Sequence, residues 1–536
     1  MAARKTAKTR RKTAAKPKAK TKAKAKAKAK TRTKTKAKAQ PKANAKTAAA
    51  SSGKPGPKTP AQNAPKARSG SGAPQSASVG GAAGIRVRMY RVGFGDFFLL
   101  TVPGNDGPAH ILIDCGVHAA NIGSIDECVQ DLKKATNNRL ALVILTHYHA
   151  DHMSGFASSY DDFANFDHVG AVWITNRLDP ANPTASKFMA QITSVAHQLR
   201  LQLGARNDPA AEEAQRKVDN ALGFNLGAAG EDGGGGSNAK ALKLLQSGFK
   251  SKPPVYYYQG GDTPKLPAEL EGKITAEILG PSPKDSGGTF AASDNKKEQY
   301  LAAVSDGEVP DAKSVQPFEK RWPGGIADYP PEAFDEFDSG LVGRGRQRKQ
   351  DGAAKLQATL ETMQPDVLAA TADKLDGTLN NQSLVVLFTC KGKKLLFVGD
   401  AQWGNWAYWL YGKAVTGSDP GITARARDIL GSIDFYKVGH HGSTNATPIP
   451  AVGALNQACA AMCSTATGAY GSPDKKTEVP RTALIGALET RTGNRLVRSD
   501  WVPTADTKPD KDARQEIATL PEGFSSPGQL YIDYEL

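Results

Sequence analysis

The chain has 536 residues, of which 70 are lysine or arginine and 53 are aspartate or glutamate, for a formal net charge of +17. The excess lies at the N-terminal end, since residues 1–85 contain 24 basic residues and no acidic one. The other 46 basic residues are outnumbered by the 53 acidic ones, so that part has a net charge of −7. This distribution excludes a basic globular domain as the source of the isoelectric point of about 9.4.

The N-terminal stretch and the cysteines indicate a cytoplasmic protein. No run approaches the roughly 18–20 apolar residues that a membrane span needs. The basic N-terminus is not followed by the apolar segment of a secretory signal. Five cysteines are too few, and odd in number, for a disulfide scaffold. We therefore expect structural thiols and no membrane partner.

Residues 1–84 are predicted to form a disordered basic tail. They combine Lys/Ala/Thr/Pro low complexity with a Ser/Gly/Pro-rich stretch, and such a composition cannot bury enough apolar surface to fold. A run of lysines suits DNA, RNA or another polyanion, because neutralised phosphates release counterions, and it predicts nucleoid association. A solubilising or targeting role is the alternative. The alternating lysines of this prediction are Lys22, Lys24, Lys26, Lys28 and Lys30.

Alternating strands and helices are predicted from residue 85 to residue 536, which indicates a mixed α/β or α+β class. A helix is predicted over 124–135, and the Ala-rich segment around Cys459 and Cys463 is compatible with a buried helix or strand. Two polar stretches, about 177–269 and 283–353, are predicted to be insertions. The predicted strands are residues 85–92, 97–102, 110–116, 140–145, 171–176, 274–282, 384–390, 393–400, 434–439, 495–500 and 529–536.

Three histidines and an aspartate follow the apolar run 140–145 within six positions. Four titratable groups at the end of a buried strand are costly to hold there without a partner. Divalent zinc, or alternatively manganese, supplies one, because neutral imidazole and carboxylate are suitable ligands. The first two histidines alternate and can point the same way, whereas the last two groups follow a turn and can reach a second ion. These residues are His147, His149, Asp151 and His152.

Two distant segments repeat the order of strand and then ligand. Asp400 follows KKLLFVG, and the pair His440 and His441 follows DFYKVG. A carboxylate there could bridge two metals, and a histidine could complete the coordination of the second ion. Five of the nine histidines of the chain lie in these two segments and the 147–152 loop. We therefore expect the three segments to meet at one metal centre.

The motifs resemble the metallo-β-lactamase superfamily, and within it the soluble hydrolase domain of ComEC-type DNA-uptake competence proteins. The resemblance implies an α+β fold, a four-layer αββα sandwich over residues 85–536 with the two insertions, and metals at one edge between the sheets. We expect the two insertions to cover that edge, with surface decoration as the alternative. The matching motifs are HYHADH (147–152), VGFGD (92–96), ILIDCG (111–116), NQSL (381–384), VGD (398–400) and KVGHHGS (437–443).

By this resemblance, His147 and His149 would bind the first metal, Asp151 and His152 would bind the second, and Asp400 would bridge them. Asp151 and Asp400, with His441, are therefore the predicted catalytic residues.

Other positions match the family less specifically. Of the histidine pair, His440 is favoured as the ligand because it comes first after the strand, and His441 is the alternative or a substrate contact. Asp114 lies where the superfamily uses a carboxylate to orient a ligand loop, with a plain turn residue as the alternative. Lys437 would contact a substrate phosphate or lie at a strand edge. The pocket would be shaped by Asn381 and Ser383.

One departure from the family concerns the first metal. The superfamily usually supplies another histidine between the HxHxDH strand and the bridging aspartate. Residues 153–399 contain only His168 and His197, and neither follows a strand in the expected way. Ser472 also stands where the competence-type proteins have a histidine. The first site is therefore expected to have fewer ligands.

Two divalent metal ions, zinc or alternatively manganese, would convert water to hydroxide at neutral pH for attack on phosphorus or a carbonyl carbon. The family and the tail favour a metal-dependent phosphodiesterase or nuclease. The alternatives are a metallohydrolase of a small ester or lactone, or a nucleic-acid-binding protein with a weakened metal site.

Overall fold

Two β-sheets organise the part of the chain that the structure describes. This computed structural model describes residues 84–205, 209–223, 237–283, 365–412, 421–501 and 520–536. The predicted basic tail, apart from its last residue, and nearly all of the second predicted insertion lie outside these ranges.

The first sheet has eight strands in the order β13-β14-β1-β2-β3-β4-β5-β6. The pairs β3–β4, β4–β5 and β5–β6 are parallel, and the remaining pairs are antiparallel. The strands are β1 Arg86–Tyr90, β2 Phe97–Gly104, β3 Gly107–Cys115, β4 Arg139–Leu145, β5 His168–Thr175, β6 Val255–Tyr258, β13 Phe524–Ser525 and β14 Tyr531–Glu535.

The second sheet has six strands in the order β12-β11-β10-β9-β8-β7. Strands β9 to β12 are parallel, and β8 is antiparallel to both of its neighbours. The strands are β7 Ile274–Gly280, β8 Val385–Cys390, β9 Lys393–Phe397, β10 Phe435–Lys437, β11 Ala460–Cys463 and β12 Leu496–Arg498.

Eleven α-helices lie in the described residues. The first has Ser124 as its N-cap, with acidic residues in its first turn and lysines in its last, which suits the helix dipole. None of the described helices is long and apolar enough to cross a membrane. The helices are α1 Ile125–Ala135, α2 Ala150–Ser158, α3 Tyr160–Ala164, α4 Pro183–Gly204, α5 Pro209–Leu222, α6 Ser237–Lys243, α7 Pro365–Asn380, α8 Trp403–Tyr411, α9 Ala424–Leu430, α10 Ile449–Ala454 and α11 Thr482–Arg491.

Most of the apolar core of the described residues lies in three large clusters, and a small fourth one contains Phe94 and Tyr470. The central cluster contains residues of both sheets, with Phe98 of β2 against Phe397 of β9 and Trp173 of β5 against Phe388 of β8. A second cluster joins β3, β4 and β5 to helices α1 to α7, and a third joins the second sheet to α8, α9, α10 and α11. Residues of both sheets therefore share one core, and helices pack against each sheet.

The predicted strands are present, and the predicted helix over 124–135 is α1. Three strands were missed or left open, namely β6, β11 and β13. The segment with Cys459 and Cys463 contains β11, and a short apolar run does not distinguish a strand from a buried helix. All five cysteines are buried free thiols, as expected.

Candidate metal centre

Buried histidines and aspartates from both sheets meet at the carboxyl ends of parallel strands. Asp151 and His152 open helix α2 shortly after β4, Asp400 follows β9, and His441 follows β10. Possible ligand atoms of these four residues all lie within 4.8 Å of one another, and all four side chains are buried. We call them the carboxylate-rich group.

A close contact between two loops brings the ligands together. Leu384 N donates to Thr146 O across 2.9 Å, which joins the loop after β4 to the start of β8. Gly399 has φ +53°, and a Cβ there would lie 2.9 Å from the side chain of Thr146. Only glycine allows this conformation and approach together, so Gly399 brings Asp400 next to the 147–152 loop.

His152 is held between two carboxylates. Its Nδ1 donates to Asp114 Oδ2 (2.8 Å), and its Nε2 lies 3.0 Å from Asp400 Oδ2. Asp114 also accepts hydrogen bonds from Thr146 N and Oγ1, at 2.8 and 2.7 Å. Asp114 therefore orients both His152 and the ligand loop.

The structure brings His441 into the carboxylate-rich group and leaves His440 outside it, so the preference for His440 is corrected. His441 Nε2 lies 3.2 Å from Asp151 Oδ2 and 3.3 Å from Asp400 Oδ2, and its Nδ1 donates to the Ser464 carbonyl (2.8 Å). The Nδ1 atom of His440 instead lies 2.6 Å from Ser443 Oγ.

The backbone explains this reversal of the two histidines. His440 and His441 have φ values of +40° and +50°, so the chain leaves β10 in a left-handed turn. A continuation of the strand would present the first histidine, whereas the turn presents the second. Left-handed backbone at two successive non-glycine residues is strained and occurs where the surrounding structure enforces it.

A second group, which we call the histidine-rich group, consists of His147, His149 and Asp151. Nε2 of His147 and Nδ1 of His149 are 3.0 Å apart, so both rings direct a nitrogen to one point. The other nitrogen of His147 lies 3.1 Å from Thr146 Oγ1. Asp151 is common to both groups, whereas Asp400, the predicted bridging residue, belongs only to the carboxylate-rich group.

Lys437 does not face solvent. It is 2% exposed, its Nζ forms an ion pair with Asp96, and it donates to Gly399 O (2.9 Å). Asp400 Oδ1 lies 3.5 Å from the same nitrogen. Neither predicted role, at a strand edge or on a substrate phosphate, agrees with this burial. The lysine instead holds the loop that carries Asp400.

Asn381 and Ser383 lie behind the metal centre. Ser383 Oγ accepts a hydrogen bond from Asp400 N (3.0 Å), and Asn381 Oδ1 accepts one from Asn405 N (3.0 Å). Ser383 is 0% exposed and Asn381 is 8% exposed. Ser383 therefore supports the backbone at Asp400 and Asn381 supports the start of helix α8, and neither lines an open pocket.

The other histidines are placed away from the two groups. His168, at the start of β5, contacts Glu269, and His110 Nδ1 lies 3.1 Å from Thr101 Oγ1. His197 lies within α4, and Ser472 N donates to Thr477 Oγ1 (3.1 Å). Among the described residues, neither His168 nor His197 belongs to a group of possible metal ligands.

Three residues near the centre were not singled out from the sequence as site residues. Asn220 of α5 accepts a hydrogen bond from Asp151 N (3.1 Å), and Asp376 Oδ1 of α7 lies 3.8 Å from His149 Nε2. The third, Asp96, was visible as part of a motif but without a role. Nothing local marks the other two, because the packing of α5 and α7 determines their positions.

Charge within the carboxylate-rich group favours a cation. Burial alone would lower the pKa of His441, but Asp400 and Asp151 raise that pKa to about 10. Burial also opposes ionisation of Asp151, yet His152 and His441 hold its pKa below the usual value. Oδ1 of Asp151 is buried without a hydrogen-bond partner. An orphaned carboxylate oxygen beside imidazole nitrogens suits a divalent ion, so the donor set fits the implied metals.

In the histidine-rich group the pKa values of the two histidines are lowered instead of raised. Burial lowers the pKa of His149 to about 4, and burial with the neighbouring His152 and His149 lowers that of His147. Both imidazoles are therefore neutral near pH 7, which is the form that binds metal.

Residues 91–161 match the family model of the Metallo-beta-lactamase superfamily. No curated protein matches the chain in a sequence comparison. The matched segment extends from the end of β1 into α3 and contains the 147–152 loop. This segment is thus similar to the metallo-β-lactamase superfamily, and with the buried histidine and aspartate groups the match indicates a metal-dependent hydrolase.

Proposed function

We propose that the protein is a phosphodiesterase or nuclease that uses two divalent ions, zinc or alternatively manganese. The observation that carries this proposal is the pair of buried ligand groups that share Asp151. We also propose that the two sheets and their helices form the αββα sandwich of the superfamily, in a domain spanning residues 85–536.

The chain offers a distinct donor set to each ion. His147 and His149 would hold one ion, and His152, Asp400 and His441 the other, while Asp151 belongs to both donor sets. Bound there, the ions would supply Lewis acidity and lower the pKa of a coordinated water.

The residues around the ligands fix their orientation. Asp114 and the Ser464 carbonyl each hold the outer nitrogen of an imidazole, at 2.8 Å in both cases, so the inner nitrogen faces the other ligands. Lys437 and Ser383 hold the loop of Asp400 from behind. All the ligand side chains are nearly inaccessible to bulk water, which strengthens the electrostatic interactions within the centre.

The preference for phosphodiesters depends on the tail and on the resemblance to competence-type hydrolases. Residues 1–84 carry a large positive charge and would concentrate polyanions near the protein, with nucleoid association in the cytoplasm as the consequence. Because such binding releases counterions, DNA affinity should fall steeply as salt is raised. A salt-independent affinity would contradict this role of the tail.

The test is hydrolysis of bis(p-nitrophenyl) phosphate by metal-depleted protein titrated with Zn²⁺ or Mn²⁺. We expect turnover that requires metal and disappears in Asp151→Ala. Asp161→Ala, which removes an exposed aspartate on the neighbouring helix α3, is the matched control and should retain activity.

Folded protein without phosphodiester turnover would contradict the proposal. Metal-dependent hydrolysis of p-nitrophenyl acetate or a lactone in its place would identify a small-ester hydrolase. Loss of both activities with DNA binding intact would leave a nucleic-acid-binding protein with a weakened metal site.

A further inference from the structure

Arg216 of α5 is partly buried and has no acidic partner among the residues that the structure describes. Its guanidinium carbon lies 5.5 Å from the ring centroid of Tyr470. Its Nε is buried without a hydrogen-bond partner, and it forms no ion pair within the described residues. Burying part of a guanidinium without an acceptor is costly, so the arrangement suits an anion that arrives from outside.

Tyr470, next to Arg216, also has a buried polar atom that could serve as a hydrogen-bond donor. The residue is 7% exposed, and its hydroxyl is buried without a hydrogen-bond partner. Its ring centroid lies 4.8 Å from that of Phe94, which in turn lies 4.2 Å from that of His441. One aromatic ring therefore separates this unpaired phenol from the carboxylate-rich group.

Helix α5 fixes Arg216 relative to the metal centre. Arg216 and Asn220 are four residues apart and share a face of the helix. Asn220 binds the backbone N–H of Asp151, and His118 Nε2 donates to the carbonyl of Arg216 (3.0 Å). The same helix face thus contacts the ligand loop and presents the arginine beside it.

We propose that Arg216 and Tyr470 bind an anionic oxygen of a substrate phosphate beside the metal centre. The proposal rests on the proposed phosphodiesterase function and names the residues that select its substrate class. A guanidinium presents a planar set of donors that matches phosphate, and a phenol adds one more donor. A neutral ester or lactone offers no charge to either group, so this subsite favours phosphodiesters over neutral esters.

The first measurement is binding of inorganic phosphate to zinc-loaded, full-length protein by titration calorimetry. Arg216→Gln should weaken phosphate binding about ten-fold or more, because a hydrogen bond to a charged group is worth roughly that factor. Arg139→Gln is the control, since Arg139 is exposed at the far end of β4. All these proteins carry the same basic tail, so their differences report the subsite.

Tyr470→Phe is the second variant, for the case that Arg216→Gln does not fold. It removes one unpaired hydroxyl and keeps the ring, and it should weaken phosphate binding by roughly five-fold. For bis(p-nitrophenyl) phosphate, Arg216→Gln should raise KM, and Arg216→Lys should restore part of the loss because it keeps the charge.

The outcomes separate the subsite from the proposed function. Weaker phosphate binding in Arg216→Gln, in a protein that does not hydrolyse phosphodiesters, would support the anion subsite and refute the phosphodiesterase. Phosphodiester turnover with phosphate binding equal in wild type and both variants would refute the subsite alone. A wild-type protein that does not bind phosphate would also overturn it.

Discussion

The two halves of the metal centre use the same residue types and differ in how those residues are held. In the carboxylate-rich group, His152 and His441 each donate their outer nitrogen to an oxygen 2.8 Å away. In the histidine-rich group, His149 Nε2 is buried without a hydrogen bond and lies 3.8 Å from Asp376 Oδ1. The His152 and His441 rings are therefore already oriented, whereas the His149 ring would become fixed only when metal binds.

The two groups also differ in the pKa values of their histidines. The pKa of His441 is raised to about 10 by its carboxylates against the effect of burial, whereas burial lowers that of His149 to about 4. Neighbouring charges, and not residue type, determine these values. The carboxylate-rich group, with its two aspartates, should bind the first equivalent of metal more tightly.

The largest expected effect follows the loss of a carboxylate from the carboxylate-rich group. Asp400→Asn removes a negative charge beside His152 and His441 and should lower kcat/KM by about a thousand-fold, because metal-based charge stabilisation is worth several kcal/mol. Asp434→Asn is the control, since Asp434 pairs with exposed Lys393 before β10. Near-normal hydrolysis of bis(p-nitrophenyl) phosphate by Asp400→Asn would contradict its role in the metal centre.

Lys437 tests how much the fold depends on a positive charge beside the buried carboxylates of Asp96 and Asp400. Lys437→Met leaves Asp96 buried without its ion pair and should lower the free energy of unfolding of metal-free protein by about 3–5 kcal/mol. Lys393→Met breaks the more exposed pair with Asp434 and should cost at most about 1 kcal/mol. Urea unfolding measures both, and equal losses would show that Lys437 has no special role.

Asp376 tests whether a neighbouring carboxylate strengthens metal binding by the histidine-rich group. Asp376→Asn removes the carboxylate nearest to His149 Nε2 and should weaken binding of one metal equivalent by about ten-fold, since partners of ligand histidines typically contribute that much. Asp373→Asn changes an exposed aspartate on the same helix and is the control. Calorimetric zinc titration should show the weaker equivalent changing alone, and an unchanged isotherm would remove Asp376 from the centre.

A histidine outside the centre provides a reference for the effect of burial on an imidazole. Burial, with Arg86 and Arg88, lowers the pKa of His110 to about 4. The unfolded imidazole titrates near 6.5, so the unfolded state binds more protons between these values and stability falls as pH drops from about 6.5 to 4.

His110→Gln should reduce this fall between pH 7 and pH 5, by at most about 2 kcal/mol. Urea unfolding at the two pH values measures it, and parallel losses in variant and wild type would refute the assignment. His110 and His149 have similar lowered pKa values, so His110 shows what burial does to an imidazole outside the metal centre.

The sequence predicted those parts of the site that follow a strand directly. His147 to His152 and Asp400 are each a few residues from a buried strand, so local pattern locates them. The choice between His440 and His441 failed because it depends on two left-handed residues that no pattern indicates. Asn220 and Asp376 reach the centre through helix packing, which periodicity does not predict.

The most direct test of the metal centre is anomalous diffraction at the zinc edge from crystals of the zinc-loaded protein. We expect two peaks, one among Asp151, His152, Asp400 and His441, and a weaker one beside His147 and His149. Partial zinc loading should fill the first position before the second. A peak coordinated by His440 in place of His441, or no peak among these residues, would contradict the account.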